Sequence, residues 1–203
     1  MDILKDHRIV AVIRAENIDE AMLKADACIS GGIKAIEITF SFDQCCRAIN
    51  KIKENSDIVV GAGTVLTVDN AKRAVEHGAD FIVSPHTCKN IIEFTKKENK
   101  VVISGASTSN EIVTAHSIGA DMVKIFPANL IGGPGYVKAI KEPLPFAKIF
   151  VTGGINLQNC SDYITSGASL IGVASALFTH NSQTPGKKIT ENAQKFVEKV
   201  HNI

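Results

Sequence analysis

The sequence of 203 residues lacks a long apolar run, and it lacks an N-terminal stretch of the kind that directs export. No apolar run approaches the roughly 20 residues that a helix needs to cross a bilayer, so we expect no membrane partner. The first residues, MDILKDHRIVAVIR, include early acidic side chains and only a short apolar segment, unlike a signal or transit peptide. We therefore expect a cytoplasmic protein.

The sequence also lacks an excess of charge of either sign. It has 22 lysines and arginines against 21 aspartates and glutamates, which gives a formal net charge of +1. This balance argues against a broad nucleic-acid-binding surface, although a local basic patch is compatible with it. Hydrophobic residues make up 45% of the chain, which is typical of a globular protein and excludes disorder as its main state.

Paired cysteines are absent as well. The five cysteines are odd in number and scattered, and no CxxC pair of the kind that serves zinc or redox chemistry occurs. Cys45 and Cys46 are adjacent, which suits neither a disulfide between them nor joint ligation of one zinc ion. The six histidines show no metal-ligand spacing. We expect reduced thiols and no metal site.

Short β-rich runs recur along the chain and are separated by stretches of helical length. Most are continuous in valine, isoleucine and phenylalanine, as expected of strands that are covered on both faces. The predicted strands are Ile9–Ile13, Ala35–Phe40, Ile58–Ala62, Asp80–Val83, Val101–Ser104, Asp121–Phe126, Lys148–Thr152 and Ser169–Val173. The predicted helix-capping residues are Asn17 or Asp19, Thr67 or Asp69, Thr108 or Ser109, and Asn156. The stretch 188–200 is predicted as a closing amphipathic helix.

Four glycines mark an internal repeat. Gly32, Gly78, Gly119 and Gly167 each end a helical pattern and precede a strand, because glycine adopts the left-handed conformation that stops a helix. They lie roughly 41–48 residues apart, which is about the length of two βα units. Eight parallel strands with right-handed crossovers close into a (β/α)8 TIM barrel, and an open doubly wound α/β sheet is the alternative. Because the sequence contains no linker-like or low-complexity stretch that would divide it, residues 1–203 are predicted to form a single domain.

Two charged residues interrupt apolar strands. Glu37 lies within AIEITF and Lys124 within MVKIF, where an unpaired charge is costly. Alternation along each strand points both side chains into the barrel. A buried lysine is a usable amine nucleophile and a nearby carboxylate can move protons, so the pair predicts Schiff-base chemistry on a carbonyl substrate. The alternative is a structural ion pair.

A second signal is the segment Thr152-Gly153-Gly154, which ends the seventh predicted strand. Backbone N–H groups at a helix N-terminus bind anions, and this barrel often has a phosphate site after strands seven and eight. Ser175, which follows strand eight, could complete that site. A plain tight turn is the alternative.

Two other motifs are less specific. The segment 61–64, Gly-Ala-Gly-Thr, lacks the third glycine and the acidic residue of a dinucleotide fingerprint, so close approach of the backbone to a small substrate is the better interpretation. The Thr64 hydroxyl would then donate to a substrate oxygen. His86 lies near the predicted mouth of the barrel, but it is interpreted as a loop residue rather than a base.

Taken together, these motifs resemble those of the bacterial 2-keto-3-deoxy-6-phosphogluconate and 4-hydroxy-2-oxoglutarate aldolases. The resemblance runs through IVAVIRA, GGIKAIEITF, VGAGTV, GADFIVSPH, VKIFPA, VTGGIN and GVASAL. It implies a (β/α)8 class I aldolase that works as a homotrimer on a small 2-keto acid and needs no cofactor or metal. The implied reaction cleaves 2-keto-3-deoxy-6-phosphogluconate to pyruvate and glyceraldehyde 3-phosphate.

The resemblance also implies roles for individual residues. Lys124 matches the Schiff-base lysine and Glu37 the general acid/base. The other matched positions are Thr64 and Thr152 in the pyruvyl pocket, Pro85 and Phe126 on its apolar wall, and Gly153, Gly154 and Ser175 in the phosphate-binding loops. Some relatives have an arginine that contacts the substrate carboxylate where this chain has Ser41, so Arg14 is the alternative source of that charge.

Other functions remain open at this stage. The same chemistry could act on 4-hydroxy-2-oxoglutarate or on the phosphogalactonate epimer. A phosphosugar-binding barrel without aldolase activity, or an epimerase, is an alternative of a different class, because this fold hosts many chemistries.

Overall fold

Strands and helices alternate along the whole described chain. The computed structural model describes residues 3–178 and 185–201. The strands are β1 Ile9–Ile13, β2 Ala35–Thr39, β3 Val59–Gly63, β4 Phe81–Ser84, β5 Val101–Gly105, β6 Met122–Ile125, β7 Ile149–Thr152 and β8 Leu170–Val173. The helices are α1 Ile18–Ser30, α2 Cys45–Lys53, α3 Val68–Glu76, α4 Lys89–Lys97, α5 Ser109–Ile118, α6 Gly133–Lys141, α7 Cys160–Thr165 and α8 Pro185–His201.

The eight strands form a closed parallel barrel in sequence order. Closure occurs where β1 pairs with β8, with Ala11 opposite Val173. The predicted (β/α)8 barrel is therefore confirmed, and the open doubly wound sheet is wrong. Each predicted strand agrees with an observed one to within one residue at each end, because continuous apolar runs flanked by glycine and polar residues define buried parallel strands.

The apolar residues form two layers that share the strands. Inward-facing side chains such as Val12, Phe81, Ile103 and Phe150 fill the barrel, and Leu4 closes its lower end. Outward-facing strand residues pack against the ring of helices. Because both faces of every strand are buried, any polar side chain that points inward needs a partner or a ligand.

Helix starts follow local hydrogen bonding. The side chains of Asn17, Thr67 and Thr108 accept backbone N–H groups at the starts of α1, α3 and α5, as predicted. Asn156 is a correction, because α7 begins only at Cys160. The Asn156 side chain instead accepts the N–H groups of residues 158 and 159 and stabilises a turn.

Helix α8 completes the outer ring. Its apolar face, which includes Ala193 and Phe196, is buried, and the Thr190 hydroxyl donates to the carbonyl of Ala27 in α1 over 3.1 Å. Gly31 permits this close packing, because a Cβ atom there would lie 2.4 Å from Ala193 Cβ. Among the described residues, no helix is both long and apolar enough to span a bilayer.

The five cysteines are free thiols in the structure, and four of them are buried. Burial raises the pKa of the Cys28 thiol to about 12 and that of Cys45 to about 11. Both thiols are therefore protonated at neutral pH, which makes them poor nucleophiles.

The start of α5 provides a test of how much local capping stabilises the barrel. Thr108 Oγ1 accepts the Glu111 N–H, and Glu111 Oε2 accepts the N–H groups of Ser107 and Thr108. We expect Thr108→Ala to lower the free energy of unfolding by about 1 kcal/mol in urea denaturation. Thr114→Ala, an exposed change within the same helix, is the control and should cause no loss. Equal losses in the two variants would contradict the capping argument.

Candidate active site

A lysine and a glutamate form an ion pair inside the barrel. Lys124 Nζ of β6 lies 3.5 Å from Glu37 Oε1 of β2. Glu37 is fully buried and Lys124 is 8% exposed. The pair lies where strand alternation predicted it. Because two buried charges are costly unless they are paired and hydrogen-bonded, each of these residues depends on the other.

Gly63 makes room for the glutamate. It ends β3 and pairs with Thr39 of β2, and a Cβ atom there would lie 1.9 Å from Glu37 Oε1. A Cβ atom at Gly61 would lie 2.3 Å from the Phe81 ring. Backbone approach to a substrate was the expected reason for these glycines, but approach to Glu37 and Phe81 is the observed one.

A pocket of about 530 Å³ opens above the ion pair at the C-terminal ends of the strands. Its wall contains seven of the predicted site residues, which lie at the ends of β1, β6, β7 and β8. These residues are Arg14, Lys124, Phe126, Thr152, Gly153, Gly154 and Ser175. The structure therefore brings together the proposed nucleophile, one arginine and the two predicted phosphate-binding loops.

Three predicted residues lie outside the wall of this pocket. Glu37 is beneath it, in contact with Lys124. Thr64 follows β3 with a φ of 57°, an unusual conformation for a β-branched residue and one that is common at functional sites. Pro85 lies above β4, with its backbone against Gly105, where a Cβ atom would be 2.1 Å from the Pro85 carbonyl carbon. The roles of Thr64 and Pro85 stay predictions.

Two polar atoms of the site have no protein partner. Glu37 Oε2 and Thr152 Oγ1 are buried and make no hydrogen bond to another described residue. Buried polar atoms are normally satisfied, and each exception costs free energy. Thr152 lines the pocket and Glu37 contacts Lys124, so a hydroxyl, carbonyl or carboxylate group bound beside Lys124 would find these atoms available for hydrogen bonds.

The Gly153–Gly154 turn differs from the prediction. Both glycines have positive φ, 92° and 74°, so their conformation is one that other residues rarely adopt. The Asn159 side chain donates to the Gly154 carbonyl over 2.9 Å, and α7 begins at the residue after Asn159. The glycine pair is therefore in a turn and not at a helix N-terminus, because Asn156 starts a second turn before the helix. Its phosphate-binding role stays a prediction.

Ser41 and His86 are not among the described residues that line the active-site pocket. Ser41 Oγ lies 2.9 Å from Thr39 Oγ1 and donates to the Ala15 carbonyl over 3.4 Å, so it ties loops together beside the mouth. His86 Nδ1 lies 3.1 Å from Ser84 Oγ. Ser84 follows the inward-facing Val83 and thus faces the helices, which agrees with the interpretation of His86 as a loop residue.

The sequence interpretation missed a polar group at the end of the pocket near Arg14. Glu16, Glu20 and Lys24 line it together with Phe178. One signal was available for Lys24: it lies three residues after Ala21 and four before Cys28, on the buried stripe of α1. A lysine on such a stripe is as informative as a lysine in a buried strand.

The chain resembles known aldolases over most of its length. The profile of the KDPG and KHG aldolase family matches residues 1–191. The 2-dehydro-3-deoxy-phosphogluconate aldolase of Treponema pallidum is 35% identical over 158 residues, which are 77% of this chain and 75% of that protein. The KHG/KDPG aldolase of Escherichia coli is 31% identical over 199 residues, which are 97% of this chain and 93% of that protein.

A solved structure agrees with these sequence matches. The KDPG aldolase of Legionella pneumophila, with pyruvate captured as a covalent carbinolamine intermediate, superposes with a TM-score of 0.84. It is 27% identical, and the match covers 94% of each chain. With the profile and the relatives, this similarity confirms the family that the motifs indicated: the chain belongs to the KDPG and KHG aldolases.

Proposed function

We propose that this protein is a class I aldolase that cleaves 2-keto-3-deoxy-6-phosphogluconate to pyruvate and glyceraldehyde 3-phosphate. The observation that carries the proposal is the buried contact of 3.5 Å between Lys124 and Glu37 at the base of the pocket. Lysine and carboxylate supply the two functions that a Schiff-base aldolase needs, an amine nucleophile and a proton carrier. Family membership supports this assignment.

The reaction begins at the C2 ketone of the substrate. Glu37 accepts a proton from the Lys124 ammonium, and the neutral amine adds to C2 to give a carbinolamine. Glu37 then assists loss of water, which leaves a protonated imine between Lys124 and C2. This cation withdraws electrons from C3, so that the C3–C4 bond is weakened.

Cleavage and release use the same two residues. Glu37 takes the proton of the C4 hydroxyl as the C3–C4 bond breaks. The electron pair of the C3–C4 bond forms the C2–C3 double bond of the enamine. Glyceraldehyde 3-phosphate leaves as the aldehyde. The enamine is protonated at C3, and water hydrolyses the resulting imine to pyruvate and free Lys124. Burial of Glu37 keeps the proton carrier out of contact with bulk solvent.

The pocket wall supports a division into two ends. Thr152 and Phe126 lie beside Lys124 and would contact the pyruvyl part, with Thr64 and Pro85 at adjacent strand ends. Gly153, Gly154 and Ser175 would bind the phosphate. Arg14 supplies a cation to the same pocket. The sequence suggested it for the substrate carboxylate, since Ser41 has no charge to offer, but β1 pairs with β8, so Arg14 lies beside the Ser175 loop and we assign it to the phosphate.

The same chemistry on 4-hydroxy-2-oxoglutarate would release a different aldehyde, glyoxylate, whereas the phosphogalactonate acid differs only in its configuration at C4 and would release the same two products. Both activities are named among relatives of this chain. Arg14 and the two loops that carry Gly154 and Ser175 lie at the far end of the pocket from Lys124 and favour a phosphorylated substrate. Binding energy remote from the reacting bond is used in the transition state.

We also propose that residues 1–203 form one domain and that the enzyme is a cytoplasmic homotrimer. The trimer is implied by the family resemblance; in such an assembly the large apolar side chains of Leu66 and Leu130, which follow β3 and β6 and are 52% and 78% exposed, would gain apolar contacts.

The function is tested by measuring pyruvate release from the two epimeric phosphosugar acids and from 4-hydroxy-2-oxoglutarate. We expect a higher kcat/KM with the two phosphorylated acids than with 4-hydroxy-2-oxoglutarate, because only they use both ends of the pocket. Of the two, we expect 2-keto-3-deoxy-6-phosphogluconate to be preferred, since relatives at 35% identity are named for it. A preference for the galactonate epimer or for 4-hydroxy-2-oxoglutarate would reassign the substrate. Absence of pyruvate from all three would exclude the aldolase and favour a non-catalytic phosphosugar-binding barrel.

The role of Glu37 is tested by Glu37→Gln, which keeps the side-chain size and removes the base. We expect kcat to fall by a factor of about 10²–10⁴, the usual contribution of a general acid/base, while the circular dichroism spectrum stays unchanged. Glu93→Gln removes an exposed carboxylate from α4 and serves as the control. Activity near the wild-type level in Glu37→Gln would mean that Glu37 is only a structural partner of Lys124.

A further inference from the structure

Lys24 joins α1 to the strand end that carries Arg14. Its ammonium donates to the Arg14 backbone carbonyl over 2.7 Å, although the two residues are ten apart in sequence. The Lys24 side chain is 14% exposed and lines the active-site pocket. A hydrogen bond from a charged donor to this carbonyl fixes the point at which the chain leaves β1 and Arg14 enters the pocket wall.

Glu20 extends this contact along the loop between β1 and α1. Its Oε1 atom lies 2.7 Å from Lys24 Nζ, and its Oε2 atom accepts the Glu16 N–H over 2.8 Å. The Asn17 side chain in turn accepts the Glu20 N–H. Lys24 and Glu20 therefore hold both the carbonyl at residue 14 and the N–H at residue 16, so that the loop is held from the helix side.

Phe178 connects the same ammonium to the loop that follows β8. Lys24 Nζ lies 5.1 Å from the centre of the Phe178 ring, within the range of a cation–π contact. Phe178 is three residues after Ser175, and both residues line the pocket. Lys24 thus touches both the loop that carries Arg14 and the loop that carries Phe178.

We propose that Lys24 is a positioning residue that sets the geometry of the distal, anion-binding end of the pocket through Arg14 and the Ser175 loop. The assignment of that end to a substrate phosphate rests on the proposed function. Lys24 acts indirectly, because its ammonium is already engaged by a carbonyl, a carboxylate and an aromatic ring. It holds the distal site in shape and leaves Lys124 and Glu37 unaffected.

An ordinary helix ion pair would not have these properties. Exposed pairs at this spacing, such as Lys72 and Glu76 of α3, contribute little to stability. The Lys72 and Glu76 side chains are 62% and 55% exposed, against 14% for Lys24. Lys72→Met is therefore a matched control for Lys24→Met, since each change removes one lysine of an i,i+4 pair.

The test compares kcat and KM on a phosphorylated and an unphosphorylated substrate of the same reaction. For Lys24→Met we expect KM for 2-keto-3-deoxy-6-phosphogluconate to rise about tenfold, the usual effect of losing hydrogen bonds from a charged group. The values for 4-hydroxy-2-oxoglutarate should change less than about twofold, because that substrate has no distal phosphate. Lys24→Arg should recover part of the loss, and Lys72→Met should match the wild type.

Two results would overturn the proposal: equal losses with both substrates, or no loss with either. If Lys24→Met does not fold, Phe178→Leu decides instead, because it removes the cation–π contact while keeping an apolar side chain. The same selective rise in KM is expected there, at smaller size, and an unselective effect would contradict the proposal.

Titration with inorganic phosphate separates this proposal from the proposed function. We expect isothermal titration calorimetry to show weaker phosphate binding by Lys24→Met than by the wild type and by Lys72→Met. This result would support the positioning role even if the wild type cleaved none of the three acids. Equal phosphate affinity in all three proteins would overturn it even if the aldolase activity were established.

Discussion

The buried contact between Lys124 and Glu37 is the interaction on which the site depends. Taking two charges out of water costs several kcal/mol per ion, and their attraction repays this cost only when the geometry is good. The barrel supplies that geometry from β6 and β2, and the absence of a side chain at Gly63 leaves the volume that the Glu37 carboxylate fills. The Glu37 Oε2 atom makes no hydrogen bond to another described residue, so it is available to a bound substrate.

The fold limits where the other functional groups can be. The chain has 203 residues, fewer than the roughly 250 residues of a typical barrel of this class, and its eight βα units therefore average about 25 residues each. Short loops give little material for a lid, so the pocket wall is built from strand ends and the residues next to them. Arg14, Thr152 and the Gly153–Gly154 turn all follow this rule. At the distal end, Lys24 of α1 contacts the loop after β1 and the ring of Phe178 from the helix layer.

Patterns local to one strand or one helix start could be predicted from the sequence. The strand bounds, the caps at Asn17 and Thr108, and the inward direction of Glu37 and Lys124 all follow from alternation or from capping chemistry. The contact of Lys24 with Phe178 could not be predicted, because it joins residues that meet only when β8 closes against β1. The late start of α7 was missed for a different reason: Asn156 and Asn159 are both good capping residues, and two turns compete there.

The central claim is that Lys124 is the nucleophile, and borohydride reduction in the presence of pyruvate tests it most directly. A Schiff base at Lys124 would be reduced to a stable secondary amine, and peptide mass spectrometry would locate it. The account predicts a single pyruvyl adduct on the peptide that contains Lys124, retained in Lys24→Met and lost in Lys124→Met. A wild-type protein that gains no adduct, or gains it at another lysine, would contradict the account.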